Sequence, residues 1–242
     1  MRRVYLFSAL IQYGLKSLFV AALLGFGLCG MAQSTHILRF IPTFNGLEIS
    51  RLPYKFSASE CDSLTITTCK FYIHNLQLLH KGSVVWREAD HHFLCDAGER
   101  QSMNLVITTL DELMFDQLQY TIGVDSAVQV NGAQSGMLDP ILGMYWTWQS
   151  GYIHFKLEAD CVNGEKKEML LWHIGGYRNP YNTIRTISVD VFPLLADWPI
   201  QLDLNKLLIQ GDTTMEHTIM SPSKNAMHLA DQFQNAFRWL AD

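Results

Sequence analysis

The sequence predicts an all-β protein, an antiparallel β-sandwich or barrel-like sandwich of about eight strands with a C-terminal helix. Three observations carry that expectation. Segments of period-two alternation recur along most of the chain. The connections between them are mostly short and hold turn residues such as Lys81-Gly82-Ser83 and Asn163-Gly164. Helical periodicity of any length appears only at the C-terminal end. With 242 residues, 48% apolar and 17% charged, the chain can bury a sizeable core and is too apolar for disorder.

The elements follow in order. His36–Pro42 opens the series, and Ser63–Leu79 follows. In the latter, strict alternation places Leu64, Ile66 and Thr68 on one face and Thr65, Thr67, Cys69, Phe71 and Ile73 on the other. The turn at Lys81-Gly82-Ser83 leads into Val84–Arg87 as a hairpin. Met103–Thr108 and Gln119–Val124 are the next strands. Gly136–Gly143 breaks the pattern with a helical turn, Asp139 as its cap and Pro140 at the first helical position. Tyr152–Glu158 turns through Asn163-Gly164 into Glu168–Ile174. Ile184–Phe192 and Ile200–Leu208 complete the strands. Ser223 then caps a helix whose Ala226, Leu229, Ala230, Phe233, Phe237 and Leu240 fall on one face.

Residues 1–32 read as a secretory signal peptide. Arg2, Arg3 and Lys16 precede the apolar run Ser17–Cys29, and Gly30-Met31-Ala32 offers small residues before a cut at Ala32/Gln33. The apolar run is short for a spanning helix, and no later stretch approaches spanning length. Residues 33–242 are therefore expected as one mature domain in the periplasm, outside the cell or at its surface, and not transmembrane. Segment 1–32 holds three basic and no acidic residues, so the mature chain has 15 basic against 23 acidic, a net charge of −8. No basic block exists, which excludes nucleic acid as a partner. Four cysteines remain after the signal, Cys61, Cys69, Cys95 and Cys161. An oxidising compartment permits two disulfides in any of three pairings, and buried free thiols are an equal alternative.

Motifs for catalysis are missing. There is no GxSxG, no HExxH, no phosphate-binding glycine loop and no dinucleotide fingerprint, so the chain reads as a non-enzyme. His91-His92 reads as part of a solvated loop. Soft ligands are abundant, because residues 33–242 contain all 9 His and all 6 Trp. The sequence Gly143-Met144-Tyr145-Trp146-Thr147-Trp148-Gln149-Ser150-Gly151-Tyr152 holds four aromatic rings within the eight positions 145–152, next to glycines. Trp172-His173-Ile174-Gly175-Gly176 ends a strand, and His217 and Met220 precede the last helix. Imidazole and thioether suit copper, yet Met and Trp more often simply pack. Asp125, Asn131 and Asp139 add a low-ranked Ca2+ expectation from clustered oxygen ligands. From the residues alone the reading stops at an exported all-β binding protein.

Several strings sharpen it. GMYWTWQSGYIHFKLE (residues 143–158), TIGVD (121–125), GMLDP (136–140), KFYIHNLQLL (70–79), WHIGG (172–176) and IMSP (219–222) stand in one order along nearly the whole mature chain. In this the chain resembles the MbnP-like family of exported copper-binding proteins. The resemblance implies copper, as Cu(I) or Cu(II), sequestered or handed over in the periplasm or at the cell surface. It implies His173 as first metal ligand, with Trp146 or Trp148 as the residue that relatives oxidise to kynurenine by a dihaem peroxidase-like partner. Met144, His154 and His36 are the further candidate ligands. The alternative is a non-catalytic surface β-sandwich module for carbohydrate or protein adhesion that has lost metal binding, with Trp146, Trp148 and Tyr152 as a stacking platform.

Overall fold

The computed structural model describes residues 33–57, 62–89, 91–111, 113–147, 149–192, 194–208 and 217–240. The expected signal peptide, Cys61 and Trp148 lie outside them. The strands are β1 (Gln33–Phe44), β2 (Leu47–Glu48), β3 (Tyr54–Phe56), β4 (Ser63–His80), β5 (Ser83–Arg87), β6 (Phe93–Asp96), β7 (Asn104–Leu110) and β8 (Gln117–Ile122). They continue with β9 (Tyr145–Thr147), β10 (Gly151–Asn163), β11 (Lys166–Gly175), β12 (Arg185–Asp190), β13 (Asp197–Asp203), β14 (Thr218–Ile219) and β15 (Phe237–Trp239). The α-helices are α1 (Ser126–Val130), α2 (Asn205–Leu208), α3 (Lys224–Asp231) and α4 (Phe233–Ala236).

Two sheets form the sandwich. The smaller runs β15-β13-β1-β2, with β7 also on β1, and the larger runs β12-β8-β4-β10-β11-β14, with β3, β5 and β6 on β4 and β9 on β10. Every expected strand segment is present in some form, and the extra strands are short. Two pairings depart from the antiparallel expectation, since β1–β13 and β11–β14 are parallel. The sheets meet through aromatic side chains. Phe40 of β1 sits edge-on to Phe71 of β4, Tyr120 of β8 and Phe237 of β15, with ring centroids 5.5, 5.5 and 6.1 Å away. Such T-shaped contacts add to the area these rings bury.

Strand β4 buries residues from both of its sequence-alternation sets. Leu64 and Ile66 lie in the core, and so do Cys69, Phe71 and Ile73. The pairing with β10 shifts register at Thr67, which faces no partner in the ladder. This bulge moves the inward phase by one residue. A second shift falls between His74 and Gln77, where Asn75 takes φ 53° and Leu76 and Leu78 return to the core.

Three other expectations are refined. The strand expected at Ile200–Leu208 ends at Asp203, whose Oδ1 accepts from the Asn205 amide and starts α2. The expected C-terminal helix is α3, capped by the Ser223 hydroxyl accepting from the Ala226 amide. It breaks at Gln232 and resumes as α4, and Phe237 goes on in β15 rather than in a helix. Ala226, Leu229, Ala230, Phe233 and Phe237 are nevertheless all buried. Among the described residues Cys69, Cys95 and Cys161 are free buried thiols, so no disulfide joins them.

A second, smaller apolar cluster forms on the outer face of the large sheet. The excursion between β8 and β10 folds back over that face and places Val124, Leu138 and Met144 on Tyr72, Leu94, Tyr152 and Ile153. Two caps shape the excursion. Asp125 Oδ1 accepts from the Val128 amide, and Asp139 Oδ1 accepts from the Ile141 amide at the 3-10 turn Pro140–Leu142.

Candidate metal centre

Alternation along β11 decides which residues meet. Leu170, Trp172 and Ile174 enter the core, so Leu171, His173 and Gly175 face outward. Trp146, on β9, lies across Gly175. A Cβ added there would stand 2.8 Å from Trp146 Cζ3 and 2.6 Å from the Tyr152 carbonyl oxygen. Only glycine admits the indole so close to the strand. His173 is two residues back on the same face, roughly 6.6 Å along the strand at 3.3 Å per residue. The indole Nε1–H of Trp146 is buried without a hydrogen-bond partner, an uncommon state for a buried donor.

His173 is held by its neighbours. Its Nε2 donates to Glu158 Oε1 at 2.8 Å. Lys156 stands directly opposite it on β10, and its Nζ lies 3.2 Å from the same Glu158 oxygen and 3.4 Å from the Gly143 carbonyl. Burial is the main influence lowering the His173 pKa, and Lys156 acts the same way while Glu158 opposes them. The ring is therefore neutral at neutral pH.

The other expected ligands are engaged elsewhere. His154 is fully buried, and both ring nitrogens are in use. Gln129 Nε2 donates to His154 Nε2 at 2.8 Å, and His154 Nδ1 donates at 2.9 Å to the Thr183 hydroxyl, which itself donates to the Gly176 carbonyl. Burial, then His74 and Arg185, lower its pKa to about 3. His36 belongs to the other sheet. It stacks on Trp198 with centroids 4.3 Å apart, donates from Nδ1 to the Leu195 carbonyl and accepts at Nε2 from the Thr109 hydroxyl. Its neighbours and those of His173 share no residue. Met144 is fully buried in the small outer cluster, where its side chain packs as an apolar group.

The remaining candidates divide. His91 is exposed as expected, but His92 is not a solvated loop residue. Its ring stacks on His74 at 5.1 Å, and its Nε2 lies 3.1 Å from Asp125 Oδ2. The acidic residues considered for Ca2+ serve as helix caps, and Asn131 is the residue that ends α1. His217 pairs with Glu168 at 3.1 Å, and Met220 is exposed. Among the described residues no three His, Cys, Asp or Glu stand together as a metal cluster. What fits a soft cation of low coordination number is narrower than the sequence suggested. It is one pre-oriented neutral imidazole, His173, two residues along β11 from the glycine against which the Trp146 indole lies.

Glu158 and Lys156 escaped sequence reasoning, although alternation along Tyr152–Glu158 already set 154, 156 and 158 on one face. The cross-strand register that brings them to His173 could not be read.

The MbnP family model matches residues 33–227. Among solved structures, MbnP from Methylosinus trichosporium superposes with a TM-score of 0.58 at 14% sequence identity, over 81% of this chain and 87% of that one. A comparison with curated proteins gave no match.

Proposed function

The chain belongs to the MbnP family, and from that membership we propose that it is an exported copper-binding protein that holds Cu(I) at His173 beside Trp146. The observation that carries the reading is a buried, neutral, carboxylate-oriented imidazole on the outward face of β11, two residues from the glycine against which the β9 indole of Trp146 lies with its N–H unpartnered. Copper(I) accepts two or three soft ligands, so the lack of a larger cluster among the described residues does not oppose it. A rigid sheet fixes the imidazole beforehand and lowers the ordering cost of binding. Oxidation of Trp146 to kynurenine would add a carbonyl and an amine donor where the indole now lies. Export to the periplasm or cell surface, and a dihaem peroxidase-like partner for that oxidation, complete the proposal.

The reading is tested by anaerobic Cu(I) titration of wild type and His173→Ala, alongside peptide mapping of protein from its native host. About one Cu(I) per wild-type chain is expected, with loss in the variant and the kynurenine mass shift on the Trp146 peptide. Equal stoichiometry and affinity in both proteins would remove His173 from the site. The carbohydrate-platform alternative loses support from the geometry. Of its three rings, Tyr152 is fully buried and so presents no face to a sugar.

A further inference from the structure

Glu158 is anchored from two strands at once. Its Oε2 accepts from the hydroxyl of Thr68, its direct cross-strand partner on β4, at 2.8 Å. Its Oε1 accepts from His173 Nε2 on β11, at 2.8 Å, and from Lys156 Nζ. His173 is diagonal to Glu158 across the ladder, a separation that long side chains bridge. An ionised carboxylate only accepts. At 2.8 Å from Glu158 Oε1, His173 Nε2 is the ring nitrogen that carries a proton, which leaves Nδ1 as the nitrogen able to offer a lone pair to a metal.

We propose that Glu158 is the positioning residue of this centre: it locks His173 as the Nε2–H tautomer and so selects Nδ1 as the ligating nitrogen. The assignment rests on the copper reading of His173 and names the residue that aims it. Histidines that bind metals usually give their second N–H to a carboxylate or carbonyl, and loss of such a partner weakens binding about 10- to 100-fold. Thr68 and Lys156 keep the carboxylate in place.

The test is 15N NMR of histidine-labelled protein, with the His173 ring identified by its absence in His173→Gln. The metal-free protein is expected to show protonated Nε2 and unprotonated Nδ1. Addition of Cu(I) should move the Nδ1 resonance and retain the Nε2 proton. Glu158→Gln, whose amide can donate as well as accept, should populate both tautomers and weaken Cu(I) binding about 10- to 100-fold. Thr68→Val leaves the carboxylate present but loosely held. It covers the case in which Glu158→Gln does not fold, and should shift both readouts in the same direction by a smaller factor. A proton on Nδ1 in the metal-free wild type, or loss of the Nε2 proton on metal addition, overturns the assignment. A correct tautomer with no copper response at either nitrogen supports the role of Glu158 in orienting the ring and overturns the copper reading instead.

Discussion

Replacing His154 by glutamine should flatten the acid limb of the stability profile. His154 is fully buried, with a pKa near 3 in the folded chain against 6.5 for an unperturbed ring. The unfolded chain therefore takes up a proton below pH 6.5 that the folded chain refuses until about pH 3. Folded-state stability is complete above pH 6.5 and falls by about 1.4 kcal/mol for each unit below it, levelling off near pH 3. At pH 5 the loss is about 2 kcal/mol, and over the whole window it is on the order of 5 kcal/mol. That is a large part of the 5–15 kcal/mol typical of a domain. Glutamine does not titrate, and it can still accept from Gln129 and bond to Thr183. Urea denaturation of both proteins at pH 7.5, 6, 5 and 4.5 isolates the contribution, because the other histidines titrate in both and cancel in the difference. Parallel profiles for wild type and His154→Gln would refute the buried neutral assignment.

Gly175→Ala should cost about 1–3 kcal/mol, since its Cβ would meet the Tyr152 carbonyl and the Trp146 ring; an unchanged melting temperature and near-UV circular dichroism would contradict the close approach. Gln129→Ala should lose about 1–3 kcal/mol by leaving His154 Nε2 and the Tyr152 amide without their partner, and urea unfolding at pH 7.5 measures it. Cys69 and Cys95 should resist alkylation in the native protein at pH 8 and react after denaturation. Burial raises the Cys69 thiol to about 12 and the Cys95 thiol well above its ordinary value. Prompt native labelling of either, mapped by mass spectrometry, would show that the core opens there.

The fold was legible because period-two alternation survives in β11 and in β10 from Phe155 onward, where one face is core and the other carries Lys156, Glu158 and His173; ahead of Phe155 the ladder shifts register. It misled in β4. There the bulge at Thr67 and the left-handed Asn75 change which residues face inward, and a bulge leaves no mark that simple alternation detects. The turn at Pro140 was readable from a local signal, Asp139 capping and Pro140 leading. The shortened strand at Asp203 was misread, because apolar Leu207 and Leu208 suit a helix end as well as a strand. For the proposed site, His173 and Trp146 were candidates already from their strings. It could not show that His154 is closed off by Gln129 and Thr183, 25 and 29 residues away along the chain. Nor could it bring His92 to His74 and Asp125. Pairings of that range are set by strand register and loop closure, which composition does not encode.

The central claim meets its most direct test in a competition titration of Cu(I) against a chromophoric chelator, run anaerobically at pH 7 on protein carrying its native modifications. The account predicts about one ion held per wild-type chain and none retained by His173→Ala that folds normally. Retention of the same ion with the same affinity by the variant would contradict it.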